Sequence, residues 1–280
     1  MSEQELIAGT GMVAVTEAQL RAEESGRADG LFADPYAQAF VDAAPPEWAP
    51  SRITSSASGS LDIAFRWNAV IRTRFFDDYL LAACRAGSRQ VVLPGAGLDT
   101  RAFRLDWPAD TSFFEIDLPA VIDFKEAVLH ERAARPRCRR TTLRHDLRDG
   151  LPAPLAAAGL DPATPTVWLL EGLLIYLSGE EVERLLGEVT SMSTVGSRVA
   201  SEHGTAKTST RVDLAKTMPA MHDYSKLWKT GLDVDSAAWL IAHGWQPMVR
   251  AAATVGEAYE RPAPPESVGA FLTAVRVRTT

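Results

Sequence analysis

The chain holds 280 residues, 46% of them hydrophobic and 23% charged, with a formal net charge of −7. That is enough apolar material for one large core, and an acidic chain without a basic stripe argues against a nucleic-acid partner. No apolar run approaches the ~18 residues that span a bilayer.

The densest basic cluster, Arg132–Arg140, is diluted by alanines and preceded by Glu131. Cys84 and Cys138 form neither a metal-type spacing nor a disulfide framework, so a reducing compartment and no metal site are expected. The opening MSEQELIAGT has neither the basic nor the apolar stretch of a signal peptide, and the expectation is a cytoplasmic protein.

Residues 11–43 read as helical, with Ala14, Ala18, Leu20 and Ala22 as a weak apolar stripe and Asp34-Pro35 as a second helix start. Residues 44–60, rich in Pro and Ser, read as a loop bordering a site. Residues 61–86 give the clearest helix, because Ile71, Phe75 and Tyr79 recur at i+4 with Phe76 and Leu80 beside them. Arg72 falls at the edge of that apolar face and requires an anionic partner, either a nearby Asp or a ligand carboxylate. Arg74 points away and can pair with Asp78 at i+4.

The chain is organised around QVVLPGAGLDTR, residues 90–101. Val91-Val92-Leu93 reads as a buried strand that breaks into a glycine turn, the signature of the first strand of an open α/β sheet. Ligands in such sheets bind beyond the carboxyl ends of the strands, and Gly95 and Gly97 leave backbone bare for one. Residues 111–116 read as strand two, ending at Asp117. An acid about 20 residues past the glycine turn hydrogen-bonds ribose hydroxyls in dinucleotide folds. Its bland alternative is to cap the next helix, but Pro119 at the first helical position makes Leu118 the cap.

Residues 139–143 read as strand three, followed by His145-Asp146-Leu147. Asp146 either caps a turn before Asp149-Gly150 or meets an adenine, and the pattern leaves both open. Residues 151–165 hold a short alanine-rich helix among prolines, and Val167–Leu170 is a buried strand. Glu171 lies between two apolar runs, which places it at a strand mouth facing the same crevice. Residues 179–192 read as helix and 196–203 as strand five. His203 ends that strand and has the chemistry of a general base, against the commoner structural role of a single His. Residues 204–231 read as a helical insert forming a lid, residues 234–243 as a helix closed by Gly244, and 245–251 with 269–277 as an antiparallel pair, the link holding Pro262, Pro264 and Pro265.

The segments RTRFFDDYLL, VVLPGAGLDTRAFRLDWP, FFEIDLPAVIDFK, WLLEGLLIYLS and SRVASEHG together resemble the leucine carboxyl methyltransferase-like family, and more closely its bacterial, actinobacterial-type subgroup of S-adenosylmethionine-dependent O-methyltransferases. The N-terminal EAQLRAEESGRADGLFADPYAQAFV fits the same subgroup, so the resemblance covers nearly the whole chain. It implies a single class I methyltransferase domain: a Rossmann-like, seven-stranded, mostly parallel sheet with an antiparallel last hairpin. In that frame 1–60 is an N-terminal helical cap, 61–203 the cofactor-binding core, 204–231 the lid and 232–280 the last helix and hairpin. It further implies that Arg72 holds the methionine carboxylate, that Gly95 and Gly97 carry the methionine and ribose portions, and that Asp117 binds the ribose. Asp146 and the Leu147 backbone would meet adenine, and Glu171 the amino-acid part. Pro94 stands where the subgroup more often has an aliphatic residue, removing an N–H and stiffening the turn.

The expected activity is methyl transfer to a small-molecule carboxylate or hydroxyl of secondary, polyketide-like metabolism. The alternatives are a protein C-terminal carboxyl methyltransferase, a non-catalytic S-adenosylmethionine-binding module, and an NAD-dependent dehydrogenase. Thr100, where a dinucleotide motif has its third glycine, counts against the last.

Overall fold

A computed structural model describes residues 2–49, 60–203, 227–229 and 235–278. Seven strands form one sheet: β1 (Gln90–Pro94), β2 (Ser112–Asp117), β3 (Arg139–Arg144), β4 (Thr166–Leu170), β5 (Arg198–Glu202), β6 (Trp245–Ala251) and β7 (Ala270–Arg276). Their order is β3-β2-β1-β4-β5-β7-β6. The first five run parallel, and β7 is antiparallel to both β5 and β6. This is the α/β class I arrangement expected from the sequence, reversed hairpin included.

The side-chain alternation of β1 shows why its apolar run is continuous. Val91 and Leu93 join one core cluster, together with Ile71 and Phe76, while Val92 joins a second with Trp168 and Leu186. A parallel strand covered on both faces has no polar side to show. Helices α1 (Glu3–Ser25), α2 (Ala37–Ala43), α3 (Ser60–Arg85), α4 (Arg101–Arg104) and α5 (Pro119–Glu131) precede β3 in the chain. Those that follow among the described residues are α6 (Pro152–Ala157), α7 (Gly179–Ser191), α8 (Ser236–Ala242) and α9 (Ala252–Ala258). Because β1 is flanked by β2 on one side and β4 on the other, the strand order reverses beside it, and this is where a crevice opens.

Three readings need correction. Within the helical stretch expected over 11–43, α1 begins earlier, at Glu3 behind a Ser2–Glu5 capping box, and stops at Ser25 before Gly26; the chain then turns, and the second start expected at Asp34-Pro35 leads into α2. Asp34 serves that turn, accepting from the Tyr36 N–H, the Arg21 guanidinium and the Thr100 hydroxyl. The link between the last strands contains α9, whose small residues gave no apolar period. A side chain at Gly256 would strike the Trp67 ring, with a Cβ only 2.3 Å from it. In the loop expected over 44–60, Pro46–Trp48 form a 3₁₀ turn, and 50–59 lie outside the described residues. The insert 204–231 also lies outside them, apart from 227–229. Leu118 does take the cap position of α5, with Pro119 behind it.

Among the described residues no helix is long and apolar enough to cross a membrane, and no group of metal-ligating side chains is assembled.

Candidate functional site

A cleft of about 620 Å³ opens over the carboxyl ends of β1, β2, β4 and β5, roofed by α1 and flanked by α3. All eight residues singled out in the sequence (Arg72, Gly95, Gly97, Asp117, Asp146, Leu147, Glu171 and His203) line it.

The glycine turn is its floor. Gly95 and Gly97 have φ of +68° and +47°, a region that side chains disfavour, and a Cβ at Gly95 would lie 3.1 Å from Leu173. Asp117 secures the turn: its carboxylate accepts the Gly97 N–H at 2.6 Å and the Leu118 N–H at 2.7 Å. The side chain is therefore less free than the helix-cap argument suggested. Two bonds still occupy only half of the ~4 acceptor positions of a carboxylate. Burial pushes the Asp117 carboxyl above its usual value, with the two N–H donors opposing.

Asp146 does what the bland reading allowed. It caps the 3₁₀ turn Leu147–Asp149, accepts the Arg148 N–H, and is gripped by the Arg148 guanidinium at 2.5–3.0 Å. That guanidinium holds Asp146 below the ordinary carboxylate range.

The other end of the cleft is an ion lattice. Among the described residues Arg72 meets no Asp; its partners are Glu17 from α1 (2.6 Å), Glu171 after β4 (2.9 Å) and Glu202 at the end of β5 (3.2 Å). Glu171 reaches on to Arg101, which also pairs with Asp99 and Asp77, and Asp77 is shared with Arg104. Arg101 is 2% exposed. Burial disfavours charge on Glu171, but Arg101 and Arg72 outweigh it and hold the carboxyl below its usual value. Burial dominates at Glu202 and pushes it up, despite Arg72.

Of this lattice only Arg72 and Glu171 were singled out in the sequence; Arg101 and Glu17 show why the rest escaped. Arg101 follows Asp99 in the glycine motif, and a charge there gave no sign of burial. Glu17 stands four residues from Arg21 on α1, which reads as a surface pair; instead Arg21 turns to Asp34 and the Leu98 carbonyl, leaving Glu17 for Arg72.

His203 sits at the mouth of β5. Its Nε2 lies 3.2 Å from Asp235 Oδ2, and its Nδ1 lies 3.1 Å from the Ser236 hydroxyl. Asp235 is fixed as the N-cap of α8, accepting the Ala237 and Ala238 N–H groups.

A switch-point crevice with a bare glycine turn, a ribose-height acid and a charged far end is compatible with several nucleoside cofactors, and comparison narrows the choice. The leucine carboxyl methyltransferase family model matches residues 14–190. A Parafrankia protein provisionally named an S-adenosyl-L-methionine-dependent methyltransferase is 46% identical over 274 residues, covering 96% of this chain and 88% of its own length. One of the same provisional name from Streptomyces avermitilis is 41% identical over 283 residues, covering 98% and 99%. Among solved structures, a DUF574-family protein from S. avermitilis superposes with a TM-score of 0.52 at 17% identity, covering 93% of this chain and 97% of that one. Magnesium protoporphyrin IX methyltransferase from Synechocystis PCC 6803, crystallised with S-adenosylhomocysteine, superposes at 0.51 and 15%, covering 80% and 91%. The structural likenesses carry the fold, and the sequence matches carry the lineage: this chain belongs to the leucine carboxyl methyltransferase family.

Proposed function

We propose that the protein, an S-adenosylmethionine-dependent methyltransferase, delivers the methyl group to an oxygen of a small-molecule acceptor of the natural-product type. The observation that carries the reading is the Gly95–Gly97 cradle tied to Asp117 in one cleft with the Arg72–Glu171 lattice.

The residues fit the cofactor at each end. Gly95 and Gly97 let an adenosyl group lie on backbone, where side chains would meet Leu173 and Ala14. The two acceptor positions left on Asp117 match the two hydroxyls of a ribose. Glu171 and Glu202 offer carboxylates to an ammonium, and Arg72 offers its guanidinium to a carboxylate by exchange with Glu17. Asp146 and Leu147 stand where an adenine edge would lie, Asp146 turning from Arg148 to receive it. Once bound, the sulfonium supplies an activated methyl group and leaves as a neutral thioether.

The protein's part is chiefly placement. Holding the acceptor oxygen in line with the methyl–sulfur bond contributes up to ~7–11 kcal/mol in favourable cases. The cleft volume falls in the usual range of small-molecule sites, ~300–1,000 Å³, and α1 roofs it, which supports a compact acceptor over a polypeptide terminus.

Isothermal titration tests the reading. S-adenosylmethionine and S-adenosylhomocysteine are expected to bind at one site per chain, and NAD to give no heat. NAD binding in their place, or saturable donor binding unaffected by Asp117→Ala, overturns it.

A further inference from the structure

The charges of the cleft bear on what kind of oxygen it accepts. Every Arg and Lys that lines it is already engaged with protein groups: Arg21 with Asp34, Arg72 with three glutamates, Arg101 with Asp77, Asp99 and Glu171, Arg148 with Asp146, and Lys229 with Glu181. Among the described residues no cation is left over for an anionic acceptor. Acceptors of hydrogen bonds are in surplus, since Glu266 Oε2 and the Ser267 hydroxyl, on cleft-lining residues, are buried without partners. So is the Trp228 indole N–H, a neutral donor. An acceptor carboxylate brought here would face uncompensated acids, whereas a hydroxyl donates to such groups and carries no charge to desolvate.

A hydroxyl must also lose its proton, and the cleft holds a group built to receive it. Asp235 Oδ2 lies 3.2 Å from His203 Nε2, and a carboxylate there favours the proton on Nε2, which would leave Nδ1, facing the Ser236 hydroxyl, as the basic nitrogen. His203 and Ser236 both line the cleft. Among the described residues the charged group set against the imidazole is Asp235 from the head of α8. Glu202, next to it in the chain, turns to the Gly172 N–H and Arg72, and β7 presents only the Ala270 carbonyl, bonded to the His203 N–H.

Resting on the methyl-transfer reading above, we infer that the acceptor is a phenol-type hydroxyl on an apolar body, with His203 as its proton acceptor and Asp235 as the positioning residue. The acceptor O–H bond breaks and an O–CH₃ bond forms, while the methyl–sulfur pair returns to sulfur. The proton passes by way of the Ser236 hydroxyl to His203 Nδ1, and Asp235 stabilises the imidazolium. Phe65, Leu173, Leu174 and Ile175 supply apolar wall for the body of the molecule.

The test uses the full chain loaded with S-adenosylhomocysteine and two matched probe pairs, 2-naphthol with 2-naphthoate and 4-ethylphenol with 4-ethylbenzoate. Saturation-transfer NMR and competition titration are expected to show each phenol bound at least ten-fold more tightly than its carboxylate. With S-adenosylmethionine, mass spectrometry should detect the methyl ether of a bound phenol. Equal or better binding of the carboxylates, binding of neither phenol, or binding without any methyl ether overturns the inference. Failure of S-adenosylhomocysteine itself to bind is the separate failure of the methyl-transfer reading.

His203→Gln and Asp235→Asn, the latter keeping a capping oxygen for α8, then test the proton path. Phenol binding should persist in both, and transfer near pH 7 should fall about 100-fold in the first and less in the second. Both losses should shrink as the pH approaches about 10, where the phenol ionises unaided. A deficit that stays constant with pH, or no deficit, removes His203 from that role.

Discussion

The two ends of the cleft are built on different principles. The end formed by Gly95, Gly97, Asp117 and Asp146 is made of short loops at the tips of adjacent strands, and in its key bonds backbone N–H groups donate to the Asp117 and Asp146 carboxylates. The end around Arg72 is made chiefly of paired side chains, drawn from α1, α3, α4 and the tips of β4 and β5. Backbone-borne sites tolerate change in the ligand-facing atoms. A lattice of buried charges does not, because removing one member strands the others. Substitutions at the first end should therefore read out in donor affinity, and those at the second in folding.

The largest effect should come from Arg101→Met. Asp77, Asp99 and Glu171 would lose a shared partner that is almost wholly buried, and breaking such a set costs about 3–5 kcal/mol. Urea denaturation should show a midpoint shift of that size at unchanged slope, and a loss under 1 kcal/mol would mean that water already reaches the lattice. Acid should act in the same direction. Burial opposes ionisation of Glu171 and Asp99, yet the neighbouring arginines hold both carboxyls below their unfolded values. Their contribution is thus complete above the unfolded carboxylate range, ~3.9–4.3, and is lost as pH falls through the lower folded values. Wild-type stability should drop over that acid range, and Arg101→Met, having lost much of the depression, should drop less.

Asp117→Ala comes next and should show both faces of the comparison. Losing a carboxylate that accepts charge-assisted bonds, each worth about 1.5–3 kcal/mol, should weaken S-adenosylhomocysteine binding by roughly 10- to 100-fold in calorimetry. It also leaves the Gly97 and Leu118 N–H groups without their acceptor, so a stability loss of about 1–3 kcal/mol should accompany it. A variant that loses stability but keeps full donor affinity would assign Asp117 to the turn alone and overturn the reading of this cradle as the donor site.

This contrast also explains what could be read from the sequence. Strands β1 and β4 were legible because burial on both faces leaves a nearly unbroken apolar run, and the glycine turn because it needs two left-handed residues close together. Asp117 was legible from its distance to that turn. Arg72 was found as a charge on an apolar face, but its partners were not, since Glu17 and Glu202 lie 55 and 130 residues away and spacing says nothing about contacts of that range. Arg101 was missed because local pattern cannot distinguish a buried arginine from a solvated one. α9 was missed because the buried face of this seven-residue helix, Ala252, Val255 and Gly256, is too short and small to form an apolar stripe, with Gly256 sized to lie under Trp67.

Glu17→Gln probes the seam between the two ends with a smaller effect. Glu17 binds Arg72 from the roof helix and would have to yield for a ligand carboxylate to take its place. Neutralising it should raise S-adenosylhomocysteine affinity about two- to five-fold, since the exchanged partner is weaker. A fall in affinity would instead assign Glu17 to the ligand's ammonium.

The smallest effect should be that of Arg148→Ala. This guanidinium is half exposed, and pairs of that kind contribute about 0–1 kcal/mol, so the melting temperature should hardly move. Its consequence for binding is more specific. Asp146 keeps its place through the Arg148 backbone N–H, a bond the alanine variant retains, while both carboxylate oxygens are released from the side chain. If adenine is read by Asp146, the variant should bind S-adenosylhomocysteine slightly more tightly, and its advantage should disappear for an analogue lacking the exocyclic amine. If the variant binds both ligands as the wild type does, Asp146 belongs to the turn, and adenine recognition rests on the Leu147 backbone.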